Sequence, residues 1–298
     1  MTPPRPAWER VQVAALPPLL GVLRRMPGGP ARGALILVGI VQAFLDGACW
    51  GRARAWAAVH ASGPGDRRRL LARLLANRGR FLATALGIGT PDPESFRRHL
   101  VFQGRDRLDA LARTGGIMLL GFHLGPGGTA AKLGLAGYPV TTAGAGLRFR
   151  VPAPSYAWVG GARSPSIVWG DAPSRAAGLH RLSELLQQGG IVSLTADSRE
   201  DGRPAFEVPL PGRTLRVRAG WFVLRRQTGT PTLPVLTSEI GRRSVVTIHP
   251  PLPDPDPDLE RDRAACREAL APILRDYVRR FPEQCLSLAL WPDEETRP

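Results

Sequence analysis

Cysteine, lysine, aromatic residues and long apolar runs are all scarce in this sequence. Cys49, Cys266 and Cys285 are the three cysteines in 298 residues. An odd, sparse set without metal-ligand or redox spacing argues against a disulfide framework and fits a reducing compartment. Of the five histidines, His60, His99, His180 and His249 have no paired ligands at zinc spacing and read as structural or surface residues. No P-loop or dinucleotide fingerprint is present, so neither a metal nor a cofactor is expected. Ser164 and Ser193 lack a nucleophile-elbow pattern. The most apolar segment, Ala34 to Leu45, is closed by Asp46, short of the roughly 20 residues that span a bilayer. Met1 to Pro18 carries prolines, Trp8, Glu9 and Arg10 rather than the apolar core and cleavage site of a secretory signal.

What the chain has in quantity is arginine. The formal charge is +15, and of 40 basic residues only Lys132 is a lysine. Arginine offers a planar fork of donors to phosphates and carboxylates. Such a surface suits nucleic acid, anionic lipid headgroups or an acidic carrier protein, and equally serves as a plain solvated face. No helix-turn-helix, RNA-binding sheet motif or zinc finger supports the nucleic-acid reading, which rests on charge alone. Arg24, Arg25, Arg32, Arg52 and Arg54 flank the apolar segment, which reads either as a buried core helix or as a helix lying in a membrane interface.

From Leu100 onward, short apolar runs alternate with helical patterns. Strands are expected at 100–102, 117–120, 140–143, 167–169, 191–195, 234–236 and 244–248. Helices are expected at 66–88, 93–99, 106–113, 132–135, 175–188, 221–227 and 259–281, the last kinked by Pro272. This alternation implies an α/β fold, a mixed and mostly parallel sheet with helices on both faces. The expected division is an N-terminal helical, membrane-associated region over 1–92 and an α/β domain over 93–298. Trp50, Trp56, Trp158 and Trp221 fit an acyl groove, a lipid interface or a packed core.

The chemistry centres on the stretch from Gly115 to Thr129. Ile117 to Leu120 is a continuous apolar run, as in a buried parallel strand. It leads to His123, and Gly125, Pro126, Gly127 and Gly128 then break the backbone before a helix start. Open α/β sheets place ligands at the carboxyl ends of their strands, where His123 would stand. The glycine loop is suited to presenting backbone N–H groups to an oxyanion or phosphate.

Three stretches together resemble the lipid A biosynthesis lauroyl/myristoyl acyltransferase family, within the wider glycerolipid and lysophospholipid acyltransferase group. They are Phe102 to Leu108, Phe122-His123-Leu124-Gly125, and Leu182 to Asp197. Arg279 to Leu286, with its Pro282-Glu283-Gln284 run, is similar to that family's closing segment. The resemblance implies the glycerolipid acyltransferase-like α/β fold behind N-terminal membrane-contacting helices. It also implies transfer of a fatty acyl group from a thioester of acyl carrier protein or coenzyme A to a hydroxyl of a lipid or glycolipid. Without a secretory signal, with few cysteines and with a short apolar segment flanked by arginine, the expected place is the cytoplasmic face of the inner membrane, peripheral or monotopic. His123 takes the position of the general base. Asp197 matches an aspartate of the family, and Arg163 matches an arginine that can pair with it. Gly125, Gly127, Gly128, Arg150 and Arg199 are candidates for oxyanion or substrate binding.

The family motif is a histidine followed five positions on by Asp or Glu, and here that position is Gly128. Another carboxylate then folds onto His123, with Asp197 and Glu200 as candidates, or the histidine works alone, or the chain is a non-catalytic lipid- or acyl-carrier-binding relative. A backbone carbonyl of the glycine loop is the other candidate partner of the ring.

Overall fold

The structure is a computed structural model that describes residues 22–23, 25–85, 93–145, 166–169, 172–197 and 204–291. After helical residues at 22–23 and 25, the described chain continues with α1 (Gly28–Leu45), α2 (Gly47–His60) and α3 (Pro64–Ala85). Asp46 separates the first two, and its carboxylate caps α2 by accepting the Cys49 N–H at 2.9 Å. α1 crosses α3 so closely that a Cβ on Gly79 would lie 2.3 Å from Ile36 Cα. After α4 (Pro93–Arg98) the alternation begins with β1 (Leu100–Gln103), α5 (Arg105–Leu111), β2 (Ile117–Gly121), α6 (Thr129–Leu135), β3 (Val140–Ala145) and β4 (Ser166–Trp169). It continues with α7 (Ala172–Gln187), β5 (Ile191–Thr195), β6 (Pro204–Leu210), β7 (Arg213–Arg218), α8 (Gly220–Thr228), β8 (Thr232–Ile240) and β9 (Arg243–Ile248). α9 (Leu259–Arg280), a 3₁₀ turn (Pro282–Gln284) and α10 (Leu286–Leu290) follow.

Among the described residues seven strands form one sheet in the order β1-β9-β8-β2-β5-β3-β4. All neighbours are parallel except the β8–β9 pair, whose two-residue turn at Gly241 and Arg242 reverses the chain. This is the mixed, mostly parallel sheet that the βαβ alternation implies. β2 sits where the path changes side, with β1 to one side of it and β3 to the other. Its four apolar residues are completely buried, as a strand covered on both faces requires.

Three elements were not expected: α2, the separate β6–β7 hairpin and α10. α9 keeps Pro272 inside one continuous helix, and Cys266, Leu270, Leu274 and Tyr277 line its buried face. One apolar cluster joins Cys49, Ala53, Trp56, Leu74 and Leu75 of the N-terminal helices to Met118, Leu120 and Val192 of the sheet and to Leu274 of α9. Among the described residues no single helix is long and apolar enough to cross a membrane. α1 and α2 reach that composition only as a pair bent by 99°.

Candidate functional site

β2 and β5 are parallel neighbours in register, with Gly121 opposite Thr195. Two residues beyond each strand end stand His123 and Asp197, so sheet pairing brings together residues 74 positions apart in the chain. The Asp197 carboxylate accepts the His123 backbone N–H, at 2.9 Å to Oδ1 and 3.0 Å to Oδ2. The same Oδ1 lies 3.0 Å from His123 Nδ1. The Asp197 side chain is 4% exposed and that of His123 39%. Facing a carboxylate, Nδ1 is the ring nitrogen placed to donate, and in a neutral imidazole of that tautomer Nε2 is the basic nitrogen. Of the candidate partners for the ring, Asp197 holds it.

Gly128 cannot take over this task. Its φ is +70°, and Gly127 before it has φ +68°. A glutamate there would sit in a left-handed conformation that non-glycine side chains rarely adopt. The loop needs glycine at 125 as well. Gly125 has φ +80°, and a Cβ on it would lie 1.9 Å from Thr237 O of β8. The helix after the loop, α6, has only seven residues, so the anion site expected at its start gains little from a helix dipole.

The C-terminal segment closes over this corner. Gln284 O accepts the Gly125 N–H at 3.1 Å. The Gln284 amide clasps the Glu239 backbone from both sides, accepting its N–H at 2.9 Å and donating to its carbonyl at 2.8 Å. Tyr277 donates its hydroxyl to Thr237 O at 2.6 Å, and burial pushes its phenol well above the ordinary value. Ser287 donates to His123 O at 2.7 Å. The Trp291 ring is tilted against the imidazole with centroids 5.5 Å apart. From α3, Phe81 stands 4.0 Å from where a Gly127 Cβ would be.

Beneath the loop lies Lys132, 3% exposed. Its Nζ donates to Gly127 O at 2.8 Å. Burial lowers its ammonium pKa to about 7, against an opposing pull from Glu239. On the other side, Arg218 is 5% exposed, and its backbone N–H donates to Ala196 O, next to Asp197, at 2.6 Å.

Arg150, Arg163, Arg199, Glu200 and Trp158 lie outside the described residues. Trp56 and Trp221 are buried in the shared core, and Trp56 donates its indole N–H to Pro282 O at 2.9 Å. The three cysteines are buried and unbridged. No group of three or more His, Cys, Asp or Glu side chains able to hold a metal occurs among the described residues. A groove between α2 and α3, lined by Arg54, Ala58, Ala61, Arg67, Arg68 and Leu71, includes none of the residues around His123.

Ser287, Trp291, Gln284, Tyr277 and Lys132 were not foreseen as parts of the site. The Pro282-Glu283-Gln284 run was the one signal for the closing segment, and it carried no information about what that segment covers. No protein-family model matches the chain, and no curated protein matches it, so the reading of this corner rests on its geometry.

Proposed function

We propose that this chain is an acyltransferase, as its resemblance to the lipid A lauroyl/myristoyl acyltransferases implies. It moves a fatty acyl group from a thioester of acyl carrier protein or coenzyme A to a hydroxyl of a lipid or glycolipid. The observation that carries this reading is the bond of His123 Nδ1 to Asp197 Oδ1 at 3.0 Å, at the carboxyl ends of two adjacent parallel strands. A buried carboxylate on Nδ1 fixes the tautomer and stabilises the imidazolium that forms when Nε2 takes a proton.

In the proposed reaction Nε2 removes the acceptor hydroxyl proton as the oxygen attacks the thioester carbonyl carbon. The new C–O bond pushes the carbonyl π pair onto oxygen, and backbone N–H groups of the glycine loop receive that charge. The oxyanion collapses and the C–S bond breaks. The leaving thiolate takes the proton from the imidazolium, giving ester, free thiol and the starting imidazole. The non-catalytic reading drew on Gly128 in place of the motif acid, and Asp197 supplies a carboxylate in its stead.

The proposed place of action is a membrane surface on the cytoplasmic side of the inner membrane. Leu37, Val41, Phe44 and Leu45 of α1 are between 45% and 82% exposed. Their spacing of four, three and one puts them on one face, opposite the face packed on α3. Arg25 and Arg54 are exposed nearby in sequence, and arginines near an anionic surface add about 1 kcal/mol each.

The test is transfer of labelled acyl chains from carrier protein or coenzyme A to a lipid extract of the host. His123→Ala is expected to abolish transfer, and Asp197→Asn to lower it by about 10²-fold or more. Absence of transfer by the wild-type protein with either donor, or full activity in His123→Ala, overturns the proposal.

A further inference from the structure

The chain uses arginine for every basic residue except one, and that one is buried under the glycine loop. A guanidinium stays charged at any ordinary pH, whereas an amine sheds its proton when desolvated and still donates an N–H. Arg225, just as enclosed, is paired with the Asp262 carboxylate, whereas Lys132 meets a carbonyl, a place where a guanidinium would leave its charge stranded.

Lys132 engages two consecutive peptides of the loop. Its Nζ donates to Gly127 O at 2.8 Å and its backbone N–H donates to Gly128 O at 3.0 Å. All described peptide bonds are trans. In a trans peptide the C=O and the N–H point in opposite directions. Each carbonyl drawn down to Lys132 thus turns the N–H of its own peptide the other way. The N–H of Gly128 therefore points away from the buried lysine, in a partly exposed stretch that follows His123. The Nζ bond holds the Gly127–Gly128 peptide, whose two left-handed glycines by themselves resist its rotation weakly.

We propose that Lys132 is a positioning residue that orients the Gly127–Gly128 peptide so that its N–H receives the oxyanion of the acyl-transfer reaction. This rests on the acyltransferase reading above. It assigns a task to a buried side chain that touches no substrate.

Lys132→Met preserves length and the apolar stem and removes the donor, and Lys132→Gln keeps an N–H on a shorter stem. Measured on the full chain in phospholipid vesicles, Lys132→Met is expected to lower kcat by about 10²-fold, the usual loss for one oxyanion donor. KM for the thioester should change by less than about three-fold, because the ground state does not use that donor. Lys132→Gln should retain a larger share of the rate, and it replaces the methionine variant if that one does not fold. Wild-type kcat in the methionine variant, or a loss carried by KM alone, overturns the inference. A second readout is independent of activity. The Gly128 amide resonance of protein labelled at glycine should move, and its hydrogen exchange quicken, when the lysine is replaced. An unchanged Gly128 amide overturns the assignment. A wild-type protein inactive with every donor defeats the acyltransferase reading, and the amide signal then decides whether Lys132 sets this peptide.

Discussion

At the scale of single residues, Lys132 and Asp197 show opposite solutions to burial. Asp197 keeps company with a donor-rich histidine, while the buried amine of Lys132 has a carbonyl for a partner and a pKa lowered to about 7. An unfolded lysine titrates near 10.4, so between about pH 7 and 10.4 the unfolded chain holds one proton more at this position than the folded chain. Stability then rises with pH across that window. The burial penalty is complete below about pH 7 and is gone once pH passes the unfolded value. Compared with Lys132→Met, the wild-type protein is expected to gain up to about 1.4 kcal/mol of unfolding free energy per pH unit inside the window. Unfolding both proteins at about pH 6 and about pH 9 checks this. The buried Tyr277 and Cys285 groups, both pushed upward by burial, titrate alike in the two proteins and cancel in the difference. A wild-type advantage that shrinks as pH rises would contradict the buried, deprotonating lysine.

At the scale of elements, the parallel strands were legible because each is a short apolar run between turn residues, and the long helices because of their 3.6-residue period. The β6–β7 hairpin was not. Its strands mix arginine, glutamate and proline with alternating apolar residues, and only the partner strand and α9 reveal which face is covered. α2 was missed for a similar reason. Glycine, alanine and arginine dominate it, and its buried side is made of small residues with Trp56. His123 was legible as a strand-end residue and Asp197 as another, but their meeting depends on β2 and β5 being neighbours, which no local pattern encodes. α1 is apolar on two faces and covered on one, which carries the proposed membrane contact. Replacing Leu37, Val41 and Leu45 together by glutamine leaves the α3-facing side untouched. It is expected to release the protein from anionic vesicles in a flotation assay while the melting temperature stays within a few degrees. Retention of the variant on vesicles at physiological salt would contradict contact through this face.

At the scale of the whole molecule, the N-terminal helices and the sheet share one apolar interior, and the site depends on that sharing. Trp56 of α2 donates to Pro282 O, Asn77 of α3 donates to Glu283 O at 2.8 Å, and Arg52 donates to Leu290 O at 2.8 Å. These three bonds hold the segment whose Gln284, Ser287 and Trp291 bear on the glycine loop and His123. A second tie lies across the molecule. Asp262 is completely buried and accepts from Arg225 and Arg226 at 2.7 Å each, joining α9 to α8. Burial pushes its carboxyl up, but the two guanidiniums outweigh that and hold it below the ordinary value. Its contribution is therefore present above the unfolded carboxylate pKa and is lost in acid. The boundary expected near residue 92 accordingly separates sequence patterns rather than independent cores. Expressed alone, residues 93–298 would present to water the apolar surface that Ala53, Trp56, Leu74 and Leu75 now cover. Each large side chain lost from such an interface costs about 2 to 5 kcal/mol, against a total stability of about 5 to 15 kcal/mol. The fragment is expected to aggregate or to melt without a cooperative transition, and to lose the protection of the His123 amide from hydrogen exchange. Supplying residues 1–92 in trans should restore a cooperative melt if the shared interior is what holds the corner together. A fragment that melts cooperatively on its own, at the temperature of the full chain, would show that the sheet holds the His123–Asp197 pair without the helices packed over it.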